Sequence, residues 1–144
     1  MDQDQLYALT MTTLNRAMDG DVPGAATTLM EIGQSGDMFN VFGACCAFAE
    51  VGKAALTKLY GSQAPNTERG DMWALEILKP GNSDPAETFA VRFIVAYAND
   101  DQDQALALFR ASLEASSEEH VSSVSQLLAT SVSLARTALT DPAV

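Results

Sequence analysis

Residues 38–60, MFNVFGACCAFAEVGKAALTKLY, constrain the fold more than any other stretch of the chain. Sixteen of these 23 residues are apolar or aromatic, and no charge occurs between Met38 and Ala49. A helix that is apolar on every side has to be surrounded by other elements of the protein to be shielded from water. The stretch therefore predicts a buried central helix in an all-helical domain.

The charge-free part of the same stretch is too short to be predicted as a membrane span. A span needs about 18–20 consecutive apolar residues, whereas the charge-free run has 12 residues and is followed by Glu50 and Lys53. The N-terminal residues MDQDQ also lack the basic and then apolar arrangement of a secretory signal. These features predict a cytoplasmic protein without membrane contact.

The composition indicates a folded and strongly acidic chain. Hydrophobic residues make up 47% of the 144 residues, and 19 acidic against 8 basic residues give a net charge of −11. The length fits one domain, 1–144. Because nucleic-acid affinity depends largely on counterion release by Lys and Arg, this charge argues against direct DNA or RNA binding. The charge either serves solubility or indicates a partner with a basic surface.

The remaining helices are predicted from apolar periodicity and from capping residues at each end. With the central helix, the predicted ranges are 2–18, 21–33, 37–60, 84–98, 101–114 and 117–139. An irregular connector, 62–83, then separates a first half, 1–61, from a second half, 84–141. Within the connector, Asp71–Lys79 alternates like a strand but has no second strand to pair with, which favours a short helix or an extended arm.

An offset of 80 residues relates the two halves. Asp21 and Asp101 open corresponding helices, and at the same offset Ala25 matches Ala105. Each half then consists of three antiparallel helices joined by tight turns, and two such units would share one core. The predicted fold is a compact all-α bundle of six or seven helices. Its two halves are either pseudo-repeated three-helix units or a coincidence of common caps and alanines.

The short turns followed by alanine, Gly20-Asp21…Ala25 and Asp100-Asp101…Ala105, are loosely similar to the turns between tetratricopeptide-type helices. The rest of that family's signature is absent, and its period of about 34 residues differs from the offset found here. The resemblance therefore implies antiparallel helical hairpins and extends no further.

The sequence contains no recognisable constellation for catalysis, cofactor binding or metal binding, so no such residues are predicted. His120 is the only histidine and is predicted to be a solvated surface side chain. The acidic runs Asp19–Gly24 and Asn99–Asp103 do not lead to the bidentate Glu of a calcium loop. Cys45 and Cys46 are adjacent, a poor geometry for a disulfide, and are predicted to be buried reduced thiols.

Three functions fit this pattern. The first is a non-enzymatic protein-interaction or scaffold domain with an unidentified partner, self-associating as a homodimer through helices 84–98 and 117–139, which are apolar on more than one face. The second is a binder of a small apolar ligand. The aromatic residues that would line its pocket, or simply fill a core, are Phe39, Phe42, Phe48, Trp73, Phe89 and Phe93. The third is an acidic inhibitor or decoy of a basic nucleic-acid-binding protein.

Overall fold

The computed structural model describes residues 1–73 and 84–140, and every regular element within these ranges is helical. The predicted all-α class is therefore confirmed. The proposed helix at Asp71–Lys79 falls largely outside the described residues. The six α-helices are α1 (Gln3–Met18), α2 (Val22–Ser35), α3 (Met38–Tyr60), α4 (Pro85–Ala98), α5 (Gln102–Ala115) and α6 (Ser117–Thr140), and two short 3₁₀ helices follow α3 at Gly61–Gln63 and Thr67–Arg69.

Acidic N-caps start four of these helices, and three of the caps, Asp21, Asp37 and Asp101, are predicted from the sequence. The side chains of Asp2, Asp21, Asp37 and Asp101 each accept a hydrogen bond from the backbone N–H three residues further along the chain. Each bond satisfies an N–H that the helix itself leaves without a partner, and such a cap contributes about 1 kcal/mol. The caps therefore fix these helix starts locally, independently of the tertiary packing.

Helices α3, α4 and α6 form the centre of the molecule. α6 lies along α3 and α4, and α4 also contacts α3 and α5. α1 pairs with α2 across a tight turn, and both contact α3, while α1 also reaches α6. The buried apolar side chains form one cluster with members from all six helices. The two halves of the chain therefore share a core.

The central helix α3 is buried along most of its length but not at its start. Phe48 is inaccessible to solvent and Leu56 is 2% exposed, whereas Met38 and Phe39 are 45% and 70% exposed. The prediction of burial on every side is thus wrong for Met38 and Phe39 at the start of α3. Of the described residues, only Met38–Gln63 is long and apolar enough to cross a membrane, a criterion that core helices of soluble proteins also meet.

The three central helices approach one another closely at Gly52 on α3. A Cβ atom added there would lie 3.3 Å from Ile94 Cδ1 on α4 and 3.3 Å from Ser131 Oγ on α6. All three residues are buried. The absence of a side chain at Gly52 therefore sets the distance between α3 and its two neighbours.

The turns α1–α2 and α4–α5 have the same backbone hydrogen bonds. Gly20 and Asp100 both have positive φ angles, 83° and 59°, which is the left-handed conformation that ends many helices. The N–H of each bonds the carbonyl three residues back, and the N–H of the next residue bonds the carbonyl five residues back, at 2.9–3.1 Å. Corresponding residues of the two turns are 80 positions apart.

Two polar contacts tie distant parts of the chain together. Arg136 Nη2 donates hydrogen bonds of 2.8 Å to the carbonyl oxygens of Ala17 and Met18, at the helix end where carbonyls lack partners and the dipole is negative. The Asn99 side chain accepts from the Trp73 N–H at 2.6 Å and donates to the Trp73 carbonyl at 3.0 Å. These bonds attach α6 to α1 and the connector to the α4–α5 turn.

Replacing Ser131 by alanine is expected to raise the free energy of unfolding by about 1 kcal/mol, because a buried hydroxyl without a partner costs about 1–3 kcal/mol. Ser131 is inaccessible to solvent, and its Oγ has no hydrogen-bond partner among the residues that the structure describes. Urea denaturation followed by circular dichroism measures the change. The matched control is Ser112→Ala, which removes a buried hydroxyl that does have partners and should lower stability. Equal losses in both variants would show that Ser131 is hydrogen-bonded.

Candidate functional site

Four of the six aromatic residues proposed for a pocket or core are buried. Phe48 and Phe93 are inaccessible, and Trp73 and Phe89 are 5% and 7% exposed. Phe93 lies with its ring centroid 5.5 Å from that of Phe89. Side chains with this burial and these ring contacts fill the space between helices. The four residues are therefore better interpreted as core than as the lining of a pocket.

The other two aromatic residues lie on the first two turns of α3. Phe42 is half-buried and makes edge-to-face contacts with Phe93 and Phe109, with centroids 6.0 Å and 5.3 Å apart. Phe39 departs from the prediction because it is 70% exposed. It lies at the start of α3, outside the core cluster to which the other five residues belong or against which they pack.

Two open depressions lie away from these aromatic residues. One, of about 390 Å³, is bordered by Met1, Gln5, Ala8, Leu9, Glu31 and Ser35 from α1 and α2 and the N-terminus. The other, of about 420 Å³, is bordered by Ser117, Glu118, Val121 and Ser122 at the start of α6. Both are shallow and open to solvent, unlike the enclosed and mostly apolar clefts that bind small molecules.

His120 is half-buried, in contrast to the solvated position predicted from the sequence. Its ring meets Phe109 edge to face with centroids 5.2 Å apart, and its Nδ1 lies 3.0 Å from Ser112 Oγ. Because Ser112 Oγ donates its proton to the Phe109 carbonyl at 2.7 Å, it accepts a hydrogen bond from the His120 Nδ1–H. The buried serine is therefore not poised as a nucleophile, and the pair links α5 to α6.

The fold is expected to lose stability as the pH falls from about 7.5 to about 5.5, because burial lowers the pKa of His120. The unfolded chain, with the ordinary pKa of about 6.5, then takes up a proton before the folded chain does. The contribution of neutral His120 to the free energy of unfolding is complete above the ordinary pKa of histidine. It is lost as the pH falls through the lower pKa that His120 has in the folded chain. Urea midpoints at both pH values measure the effect.

The control for this pH dependence is His120→Gln, which removes the only histidine. The variant should lose clearly less stability than the wild type over the same pH interval, because it lacks the imidazole whose proton uptake differs between the folded and the unfolded chain. An equal loss in both proteins would assign the pH dependence to other groups.

The two cysteines are free and poorly suited to redox or nucleophilic chemistry. Burial and the neighbouring Cys46 raise the pKa of the Cys45 thiol far above its ordinary value, and burial raises the pKa of Cys46 to about 11. The thiolate is the reactive form of cysteine. Both residues are therefore thiols at neutral pH, with Cys45 buried as predicted and Cys46 half-buried.

A polar contact joins α3 to α4 through Tyr97. Burial raises the pKa of Tyr97 to about 12, with a further contribution from its hydrogen bond to Glu50. Lys53 Nζ lies 6.0 Å from the centre of the Tyr97 ring. A phenol with this pKa stays neutral at physiological pH and serves as a hydrogen-bond donor between helices.

Within residues 1–73 and 84–140, no group of three or more His, Cys, Asp or Glu residues could hold a metal ion.

Large exposed apolar side chains concentrate on the first three helices. Seven of the ten such residues among the described ones lie on α1, α2 or α3, and α4 and α5 contribute none. The seven are Tyr7, Met11, Val22, Met30, Met38, Phe39 and Tyr60, and the other three are Met72, Val121 and Leu139. Scattered apolar residues are normal on protein surfaces, but a concentration of them indicates an interaction site.

Helical spacing places three of these side chains next to the contact between α1 and α3. Leu6 Cδ2 on α1 lies 3.5 Å from the position of a Cβ on Gly43 of α3. Phe39 is one turn before Gly43 on the same face of α3, and Tyr7 and Met11 share the face of α1 next to Leu6. Tyr7, Met11 and Phe39 are 68%, 37% and 70% exposed. We call these three residues the α1–α3 apolar surface.

No family model, no curated protein and no solved structure matches the chain. Relatives therefore give no assignment of a site or an activity. A functional proposal therefore has to be based on the contacts, burial and charges of this chain itself.

Proposed function

We propose that this chain is a non-enzymatic protein-interaction domain that binds a partner through the α1–α3 apolar surface. The observation that carries the proposal is the exposure of Tyr7, Met11 and Phe39 beside one helix–helix contact. Aromatic residues and methionine are enriched in the cores of protein interfaces. Exposing them without a partner is unfavourable, so a binding role accounts for their position better than solubility does.

The experiment that tests the proposal is affinity capture from native lysate with three forms of the full chain. These are the wild type, Tyr7→Ala/Phe39→Ala on the proposed surface, and Val121→Ala/Leu139→Ala as a control on α6, where the two side chains are 61% and 68% exposed. The proposal expects proteins that bind the wild type and the control but not the surface variant. An identical set of captured proteins for all three forms would contradict it.

The prediction of a homodimer rests on apolar residues around α4 and α6. Val91 on α4 and Leu127 and Val132 on α6 are at most 6% exposed, whereas Val121 and Leu139 on α6 are 61% and 68% exposed. A homodimer therefore has two apolar surfaces available, the exposed part of α6 and the α1–α3 apolar surface. Sedimentation of the wild type and of Tyr7→Ala/Phe39→Ala at high protein concentration tests this, and a monomeric wild type would exclude the dimer.

The two alternative functions and the cytoplasmic location stay predictions. A binder of small apolar ligands would need the packed aromatic core to open, so thermal-shift screening with apolar compounds is the test, and no stabilisation would count against it. A decoy for a basic nucleic-acid-binding protein would show capture that weakens strongly with salt. Fractionation of cells that express the chain would test the location, and recovery in the membrane or secreted fraction would count against it.

We also infer that the chain is a compact bundle of two related three-helix units. The support is the shared hydrogen bonding of the α1–α2 and α4–α5 turns and the equal length, 14 residues, of α2 and α5, whose N-caps Asp21 and Asp101 lie 80 positions apart. A chain in which the sequence of residues 99–101 replaces residues 19–21 tests this equivalence, and its failure to fold would contradict it.

A further inference from the structure

We propose that the α1–α3 apolar surface binds a basic amphipathic helix of another protein. This inference rests on the interaction function proposed above and specifies the chemistry of the partner. It requires two properties of the surface: apolar side chains spaced to receive a helix, and a surrounding charge that selects a cationic one.

The apolar property comes from two helices. Tyr7 and Met11 are four residues apart on α1 and therefore lie one above the other. Phe39 lies on α3, one turn before Gly43, and Gly43 is the residue of α3 that Leu6 of α1 approaches. An amphipathic helix binds its target by laying apolar residues at i, i+3, i+4 and i+7 into such an arrangement. Methionine adapts its shape to different side chains, which suits a surface that receives a partner's apolar face.

The charge property comes from the sequence around this surface. Residues 1–60, which include α1, α2 and α3, contain three basic residues, Arg16, Lys53 and Lys58, and seven acidic residues: Asp2, Asp4, Asp19, Asp21, Glu31, Asp37 and Glu50. The Arg16 guanidinium donates to the Gly24 carbonyl at 3.1 Å and so serves the α1–α2 contact. All seven acidic residues are exposed.

Two of these carboxylates lie next to the apolar surface along the chain. Asp4 precedes Tyr7 by three residues on the same face of α1, and Asp37 precedes Phe39 by two residues at the start of α3. The α1–α3 apolar surface is therefore bordered by negative charge. A partner that brings Lys or Arg beside its apolar face would meet complementary potential there.

This charge decides among the occupants that an apolar surface could have. A second copy of the chain would place the same seven carboxylates opposite these seven. Repulsion between like charges across an interface disfavours such a complex. A membrane with anionic headgroups would be repelled in the same way. A cationic amphipathic helix matches both the apolar residues and the charge of their surroundings.

The first part of the test uses two synthetic peptides and isothermal titration calorimetry with the full chain. One peptide is an amphipathic helix with leucine on one face and lysine on the other, and its matched partner has glutamate in place of every lysine. We expect the lysine peptide to bind at least about tenfold more tightly, with an affinity that falls as NaCl rises from about 50 to about 500 mM. Equal binding of both peptides would overturn the proposal.

The second part locates the site with matched variants. Tyr7→Ala/Phe39→Ala should weaken binding of the lysine peptide by about tenfold or more, as loss of central aromatic contacts does in other interfaces. Val121→Ala/Leu139→Ala, which removes two exposed apolar side chains on α6, should leave the affinity within about twofold. Equal weakening in the two double variants would show non-specific attraction to an acidic protein and would overturn the proposal.

A single-charge pair of variants tests the electrostatic component. Asp4→Asn should reduce both the affinity and its salt dependence, whereas Asp103→Asn should not, although both residues are exposed acids in the first turn of a helix. Circular dichroism and the urea midpoint check that each variant is folded. If Asp103→Asn had the larger effect, the peptide would be binding at another surface and the proposal would be wrong.

The outcomes separate this inference from the proposed function. If the lysine peptide does not bind but capture from lysate still depends on Tyr7 and Phe39, the surface is an interaction site and the assigned partner chemistry is wrong. If neither measurement depends on these two residues, both proposals fail. If sedimentation shows a dimer that Tyr7→Ala/Phe39→Ala dissociates, the occupant is a second copy and the basic-helix proposal is overturned.

Discussion

Replacing Phe93 by alanine is expected to lower the free energy of unfolding by about 3–5 kcal/mol, because the loss of a buried phenylalanine ring combines its transfer free energy with the cost of the cavity that remains. Phe93 is inaccessible to solvent and its ring contacts those of Phe42 and Phe89, at centroid distances of 6.0 Å and 5.5 Å. Small domains are stable by only about 5–15 kcal/mol, so the variant should be partly unfolded under mild conditions. Urea denaturation is the measurement.

The control for this prediction is the same substitution at Phe39. Phe39 is 70% exposed, so Phe39→Ala should change stability by no more than about 0.5 kcal/mol. A large loss at Phe39 with a small loss at Phe93 would reverse the assignment of core and surface. It would also remove the exposed aromatic side chain on which the proposed binding surface depends.

Replacing Gly52 by leucine is expected to lower stability by about 3 kcal/mol or to prevent folding, since extra atoms in a well-packed core force side chains and backbone apart. Even a Cβ at Gly52 would lie 3.3 Å from both Ile94 Cδ1 and Ser131 Oγ, and three further carbon atoms have no space between α3, α4 and α6. The thermal midpoint and the near-ultraviolet spectrum report the effect on stability and packing.

The matched control is Gly33→Leu on α2. Within the described part of the chain, and apart from the adjoining backbone of α2 itself, no atom lies within 4 Å of a Cβ placed at Gly33, and the residue is exposed. Leucine also has a higher helix propensity than glycine, so the change should be neutral or stabilising by up to about 0.5 kcal/mol. If leucine were tolerated equally at both positions, the close approach of the three central helices would be wrong.

These variants also separate folding from binding. Phe93 and Gly52 act through the core, whereas Tyr7 and Phe39 are exposed and their truncation should alter binding without altering stability. A variant that loses partner capture and keeps its urea midpoint would therefore report on the interface alone. Loss of both together would show that the variant had unfolded.

The sequence by itself determined the helices and most of their starts. Asp21, Asp37 and Asp101 cap helices where predicted, and α3 has the predicted range, Met38–Tyr60. A cap bonds the N–H three residues further on, and apolar periodicity compares residues three or four apart. Both signals involve residues that lie within one or two helical turns of each other. They therefore predict helices without knowledge of the tertiary fold.

Hydrophobicity alone could not separate the exposed candidate site from the core. Phe39 was grouped with Phe48 and Phe93 because all three are phenylalanines on apolar helices, yet one is 70% exposed and the other two are inaccessible. His120 was predicted to be solvated from the charges beside it in sequence, and it instead lies against Phe109 and Ser112. Which side chains are exposed depends on which helix covers each turn.

Only the tertiary structure decided the long-range contacts. Arg136 bonds the end of α1 across 118 and 119 positions of the chain, and Asn99 bonds Trp73 across 26. Gly52 meets Ile94 and Ser131 from two other helices. Such contacts follow from the way the helices pack, which is set by all their apolar faces together and not by the residues next to each position. The physical reason is that helix formation is governed by near neighbours, whereas burial and binding surfaces are governed by the whole fold.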